Sequence, residues 1–498
     1  MQLNLSTVYS AATLGVTSVS DGLALIMADG TARLIYSEAE LNRAMSLSLG
    51  SISAAGSGFA SVQSLAAPQP LSNLDPGHGF AFQTVGTTWR AFVFDSHIGA
   101  LTATLLDSSG QPGASQSVTT NQGALTGVET FTMLGGAGGA YTAVSQWNTS
   151  GLKLFAVDAN GALTGTGQIA DSVKSYVANV SDTASVTLDG HNYLLTLSSL
   201  ENGITSYAIG ARGKATLVDS LGNHDLLAVT GPAALQVMQR DGVSYAVIAS
   251  TGSSSLSVVR VNDLGCLFLT DHVVDDRTTR FDHTQALDSF TANGRAFVVT
   301  AGTDAGVTVM ELLPDGHLQH FATGVFETGP GMASVTGIEA AINGATLSIY
   351  ITDARADHVQ TVDMSLATLG AEVDAYAGMA NGTAKADLIW GSTANETLLG
   401  WADDDFIFSG GGADTMTGGT GDDLFVMGAT SDHGRITDYV QHSDRIDLTA
   451  WGHVYTADAL SITPNATGAV IALNGHDVTV VAGHSLTAAS FVDSDFVF

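Results

Sequence analysis

A chain of 498 residues with 48 acidic and 16 basic side chains, net charge −32, lacks the lysine and arginine clusters through which proteins hold nucleic acid. Its length exceeds one ordinary domain, and 45% apolar against 13% charged residues excludes a disordered chain. Divalent cations are the natural counter-charge for such an acid excess, although surface acids also keep an exported protein soluble.

In chain order, the first segment, Met1 to Ser6, shows no basic region, apolar core or small-residue cleavage site, so a cleaved N-terminal export signal is not expected. No apolar stretch reaches the ~20 residues of a membrane-spanning helix, so no transmembrane segment is expected. Only 36–46 hints at a helix. Elsewhere in 1–375, Val, Thr, Leu and Tyr runs of four to eight residues broken by Gly, Asn, Asp and Ser predict short β-strands.

These strands repeat. Tyr141, Tyr193, Tyr245, Phe297 and Ile349 each open an apolar run and stand 52 residues apart. The next runs keep the beat at Leu152, Ile204, Leu256, Val307 and Val359, and Gly110, Gly161, Gly213, Gly265 and Gly316 mark the following turn. About four strands fit each period, as at 233–239, 244–250, 255–262 and 266–270. That is the content of one propeller blade. Counting earlier second strands near Leu23 and Phe92 gives seven blades over 1–375, an architectural resemblance to seven-bladed propellers without a WD, kelch or lactonase signature. The lone cysteine, Cys266, excludes an intrachain disulfide and is expected to be a small buried hydrophobe in a strand.

On a propeller, function sits on the face made by the loops between strands two and three and between blades. That face would gather Asp75, His78, Asp95, His97, His224, Asp225, Asp271, His272, Asp282, His283, Asp353, Asp357 and His358. The densest cluster, Asp353, Arg355, Asp357 and His358, is the catalytic candidate should the propeller be a hydrolase or lyase, lactonase-like or polysaccharide-degrading. Asp and His are equally ordinary turn residues, and no H-E-x-x-H or G-x-S-x-G motif accompanies them.

At Gly382 the period changes to nine. Five units start at Gly382, Gly391, Gly400, Ser409 and Gly418; their sixth positions are Asp387, Glu396, Asp405, Asp414 and Asp423, and their eighth are Ile389, Leu398, Ile407, Met416 and Phe425. Gly410, Gly412, Gly419 and Gly421 supply sharp turns, the acids hard oxygen ligands, and the apolar positions a core. This pattern resembles the RTX calcium-binding nonapeptide repeat. The resemblance implies a parallel β-roll with two units per turn, so that Asp387, Asp405 and Asp423 line one edge and Glu396 and Asp414 the other, with Ca2+ as the bound ion. The first two units lack the paired glycines, and the second carries Glu396 in place of Asp, so their sites are expected to be weak or empty.

The segment from Arg435 through Asp438, Tyr439, Asp444 and Asp447 is similar to the cap of RTX rolls in serralysin-like proteins, and Phe491–Phe498 looks like the tail of a type I secretion substrate. The resemblance covers 382–498 and implies export by the type I machinery through an uncleaved C-terminal signal, an extracellular or cell-surface location, and calcium-induced folding after export. The whole chain is therefore expected to be all-β: a seven-bladed propeller over 1–375, then a β-roll with capping β-structure over 376–498. The favoured function is a secreted binding, adhesion or surface-layer protein whose partners are cell-surface glycans or other copies of itself.

Overall fold

Before residue 119 the computed structural model describes only the strand segments; from 119 to 497 it describes all but 123–124, 126, 137–138, 326–334, 354–357, 432, 453 and 455. The fold is all-β. It divides into a unit of Met1–Phe290 with Ala296–Ser365 and a unit of Thr291–Arg295 with Leu366–Phe498.

In the first unit the described strands form seven antiparallel sheets of four. Six are consecutive in sequence, at 21–65, 80–118, 128–169, 180–222, 232–274 and 286–325. The seventh takes three strands from 335–365 and is completed by Leu3–Ser10, which pairs antiparallel with His358–Ser365. Strand Asp21–Ile26 lies against Val335–Asn343, so the first and last sheets are neighbours. The result is seven propeller-like blades closed by the N-terminal strand. Second and third strands such as Val243–Ser250 and Gly306–Leu312 are almost wholly buried, which is why they read as continuous apolar runs. Fourth strands such as Leu163–Ile169 are exposed or half-exposed between buried ends and form polar outer edges.

The 52-residue beat has a packing cause. Gly213, Gly265 and Gly316 hold φ of +70°, +76° and +89°, and a Cβ on each would overlap the ring of Tyr141, Tyr193 and Tyr245 of the preceding blade. The hydroxyls of Tyr193 and Tyr245 then donate to Asp263 O (3.2 Å) and Pro314 O (3.1 Å) in that same following turn. Each tyrosine of one blade thus requires a glycine in the next. Replacing Gly265 by Ala is expected to cost about 1–3 kcal/mol through overpacking and a left-handed backbone, read as a lower unfolding midpoint. Gly242, at φ +77° with open space around its Cβ direction, is the control that isolates the backbone share.

Half-buried aspartates tie successive sheets together. Asp182 and Asp288 accept from the backbone N–H of Leu235 and Ala340 in the next first strand, both at 2.7 Å. Asp219 and Asp271 accept from Leu267 (2.9 Å) and Leu318 (2.7 Å) in the next fourth strand.

Three local expectations are corrected. Of residues 36–46, 36–40 and 43–46 lie in strands Ala32–Glu40 and Arg43–Ile52, whose cross-strand pairing overrides a local helical pattern. Leu23 sits in the first strand of its sheet, not the second, because the N-terminal strand is spent on the last sheet. Cys266 is only partly buried and precedes strand Leu267–Val274.

In the second unit the period-nine segment winds as a parallel solenoid of two sheets. One runs Leu369–Asp374, Ala386–Trp390, Phe406–Phe408, Leu424–Val426, Arg445–Asp447 and Phe496–Val497. The other runs Met379–Asn381, Thr397–Ala402, Thr415–Thr420, Gly434–Ile436 and His476–Val481, then turns antiparallel through Gly468–Leu473 and Ser461–Pro464. Leu388 pairs with Phe406 and Phe406 with Leu424, a step of 18 residues, so two nonapeptides make one turn. The eighth-position side chains Ile389, Leu398, Ile407, Met416 and Phe425 are each 0% exposed and form the core, which Trp451, Phe491 and Phe496 extend.

Candidate metal centre

Because side chains alternate across each short strand, the eighth-position residue points inward and the sixth-position acid falls at the bend between the two sheets. Successive bends on one edge are 18 residues apart, and the acids there form a hydrogen-bonded ladder. Asp387 N–H donates to Asp405 Oδ1 (2.8 Å), Asp405 N–H to Asp423 Oδ1 (2.9 Å), and Asp423 N–H to Asp444 Oδ1 (3.1 Å). On the opposite edge Glu396 N–H donates to Asp414 Oδ1 (2.8 Å). Sequence reasoning had placed Asp444 in the cap only. It stands 21 residues beyond Asp423, outside the nonapeptide beat, and its sole signal was an acid in the segment after the last repeat.

The second carboxylate oxygens separate the units into two kinds. Asp405, Asp414 and Asp423 are at most 2% exposed, and their Oδ2 atoms are buried without any hydrogen-bond partner. A buried anionic oxygen left unpaired is costly. Asp387 and Glu396 differ. Asp387 Oδ2 accepts from the backbone and hydroxyl of Thr383, and both oxygens of Glu396 are taken by the backbone and hydroxyl of Ser392.

The bends themselves differ in the same way. Positions two and four are left-handed at Gly410 (φ +72°), Gly412 (+91°), Gly419 (+114°) and Gly421 (+143°). Trp401 (+86°) and Asp403 (+70°) adopt this conformation without being glycine. A Cβ at Gly410, Gly412, Gly419 or Gly421 would run into the carbonyl oxygen of Ser392, Ala394, Trp401 or Asp403 respectively, one turn earlier. At Gly400 it would meet both Asp405 Oδ2 and Gly418 O. Main-chain carbonyls and unpaired carboxylate oxygens therefore converge on the bends of units three to five, a hard-oxygen set that fits calcium. Among the described residues no three His, Cys, Asp or Glu side chains converge as a metal cluster, so a cation here depends on those carbonyls.

Electrostatics agree. Burial, followed by the neighbouring charges of Asp423, Asp387 and Asp403, pushes Asp405 up to about 8. Burial likewise raises Asp423 to about 7 and Asp414 and Asp444 to about 6. Asp438, which accepts from the N–H groups of Gly418 (3.1 Å) and Gly419 (2.8 Å), is also raised by burial.

Residues 379–407 and 390–425 match the family model of the RTX calcium-binding nonapeptide repeat. This segment is an RTX calcium-binding roll. No curated protein matches the chain. Among solved structures, a protein from Lactobacillus plantarum is similar over 62% of this chain and 88% of its own, at 15% identity and TM-score 0.42. A functionally unknown protein from Desulfotomaculum acetoxidans is similar over 64% of this chain and 89% of its own, at 11% identity and TM-score 0.39.

Beyond the RTX roll, those acids and histidines expected on the propeller's loop face that are described make separate local contacts. Asp271 lies within a strand, where it accepts from Leu318 and His272 N–H, and His272 Nδ1 bonds Ser257 Oγ at 2.8 Å. Asp282 joins two loops, accepting from Ser254 Oγ (2.7 Å) and Thr303 Oγ1 (3.2 Å) and pairing with His283 at 2.8 Å. The Ser254 hydroxyl, ahead of His283, holds its carboxyl below the usual range. His224 and Asp225 are exposed in a short 3-10 turn, where Asp225 Oδ2 accepts from Gly222 N–H. The catalytic candidates Arg355 and Asp357, the side chains of Asp353, His358 and Asp95, and residues Asp75, His78 and His97 lie outside the described residues.

Proposed function

We propose that this is an exported, calcium-dependent protein in which Asp405, Asp414 and Asp423, with the glycine bends at Gly410, Gly412, Gly419 and Gly421, hold the Ca2+ that completes the RTX roll outside the cell. The three buried carboxylate oxygens without partners carry this reading. They mark where positive charge belongs. RTX repeats are the mark of type I export, and the roll's acids would repel one another in calcium-poor cytosol and close over calcium outside. Among the described residues no helix is long and apolar enough to cross a membrane. Calcium titration of the full-length protein, followed by hydrogen exchange in 400–426, tests the reading. Exchange should slow sharply as calcium is added; exchange indifferent to calcium would sink it.

The propeller-like unit serves as the binding module, meeting cell-surface glycans or other copies of the chain with its loop face. Hydrogen bonds such as Gly151 N–H to Val177 O (2.8 Å) and Thr251 N–H to Gly231 O (3.1 Å) bring the loops between second and third strands beside the inter-blade loops. On those loops Trp147, Val173, Leu200 and Leu226 are 61%, 105%, 70% and 81% exposed. Gln146, the residue before Trp147 in the chain, edges with Thr149, Ser150, Lys153, Gln168 and Asp171 a groove of about 310 Å³. An exposed indole next to amide and hydroxyl groups is the chemistry that receives a sugar ring. Trp147→Ala is expected to weaken binding to a glycan array or to intact cells at least tenfold while leaving the melting profile unchanged; unaltered binding would remove the glycan reading.

A further inference from the structure

We propose that Thr383 and Ser392 take the place of a cation in the first two repeats, so that only the bends from Gly400 onward require calcium and the turn before them is a calcium-independent seat. The inference rests on the reading that Asp405, Asp414 and Asp423 bind calcium.

The two hydroxyl residues occupy the second position of their repeats, each four residues before its acid. From there Thr383 donates its N–H and Oγ1–H (2.9 Å) to Asp387 Oδ2, while Ala371 N–H donates to Oδ1 at 2.8 Å. Ser392 donates its N–H to Glu396 Oε2 at 2.9 Å and its hydroxyl to Oε1. Both carboxylates are therefore fully engaged by donors within hydrogen-bond reach, whereas the next three each keep one buried oxygen unengaged. These donors occupy at Asp387 and Glu396 the places that a metal would otherwise take.

The backbone separates the same two groups independently. Left-handed residues at positions two and four recur in units three, four and five, even where Trp401 and Asp403 must adopt them. Thr383, Lys385, Ser392 and Ala394 are not among the left-handed residues. The first two bends thus lack the left-handed positions that the later three share.

Such a turn is well placed to organise its neighbours. Ala386–Trp390 pairs in parallel with Leu369–Asp374 on one side and with Phe406–Phe408 on the other, and Ile389 and Leu398 are sealed in the core. Asp387 N–H donates directly to Asp405 Oδ1, the first rung that needs calcium. Without calcium, the chain through Leu399 stays ordered and presents a template; calcium then locks the following bends onto it.

The test uses the full-length chain with calcium chloride as the only ligand. Equilibrium dialysis should show that D405N, D414N and D423N each reduce the number of ions bound, while D387N and E396Q leave it unchanged. On the wild type, which needs no variant to fold, hydrogen exchange in chelator should leave the amides of 383–399 at least tenfold better protected than those of 400–423. A D387N chain that loses an ion as D405N does, or loss of protection over 383–399 on chelation, overturns the inference alone. A wild-type chain that takes up no calcium overturns the calcium reading and this inference together.

Discussion

Chelating calcium at pH 8 is expected to unfold the RTX roll from Gly400 onward, and restoring calcium to refold it. At one hundred times its dissociation constant a ligand stabilises the folded state by about 2.7 kcal/mol per independent site. Three sites, one for each of Asp405, Asp414 and Asp423, would add about 8 kcal/mol, comparable to the whole stability of an ordinary domain. The other half of the effect is the cost without metal, because each of these acids buries an oxygen that nothing in the protein engages. In a calorimetric scan of the full-length protein, one transition should rise steeply with calcium and vanish in chelator, while a second stays in place. A single transition at the same temperature in both conditions would contradict it.

The sequence makes much of this visible where one constraint recurs at a fixed interval. Tyr193 and Gly265 are legible because neighbouring blades repeat the contact they make, at Tyr141–Gly213 and Tyr245–Gly316, and Asp405 and Phe425 because each half-turn repeats the choice of acid and core residue. Features made once are not legible. The pairing of Leu3–Ser10 with His358–Ser365 joins segments from opposite ends of the chain and leaves no local period. Asp444 extends the acid ladder after 21 residues in place of 18, so a search in steps of nine passes it by. Residue type also conceals role: Asp271 reads as a loop ligand yet secures the next blade, because a carboxylate serves a backbone N–H as readily as a metal. The hydroxyl four residues before Asp387 and again before Glu396 was a legible signal, and its meaning emerges only when the donor distances are known.

Acid is expected to substitute in part for calcium. Burial raises Asp405 to about 8, Asp423 to about 7 and Asp414 and Asp444 to about 6 in the metal-free fold, against about 4 for the same groups in an unfolded chain. Between pH 4 and 8 the folded roll therefore holds more protons than the unfolded one, and stability must fall as pH rises through that window. In chelator the roll's transition, absent at pH 8, should return as the pH is lowered to 5.5. In saturating calcium the order reverses, since the ion displaces those protons and binds more weakly as pH falls. Asp405→Asn carries the point further: a neutral amide removes the buried charge, so this variant should regain in chelator at pH 8 part of the transition that the wild type loses there, melt below the wild type in calcium, and show a flatter pH slope. A metal-free roll that gains stability as pH rises from 5.5 to 8 would show that these carboxylates are charged and satisfied without calcium.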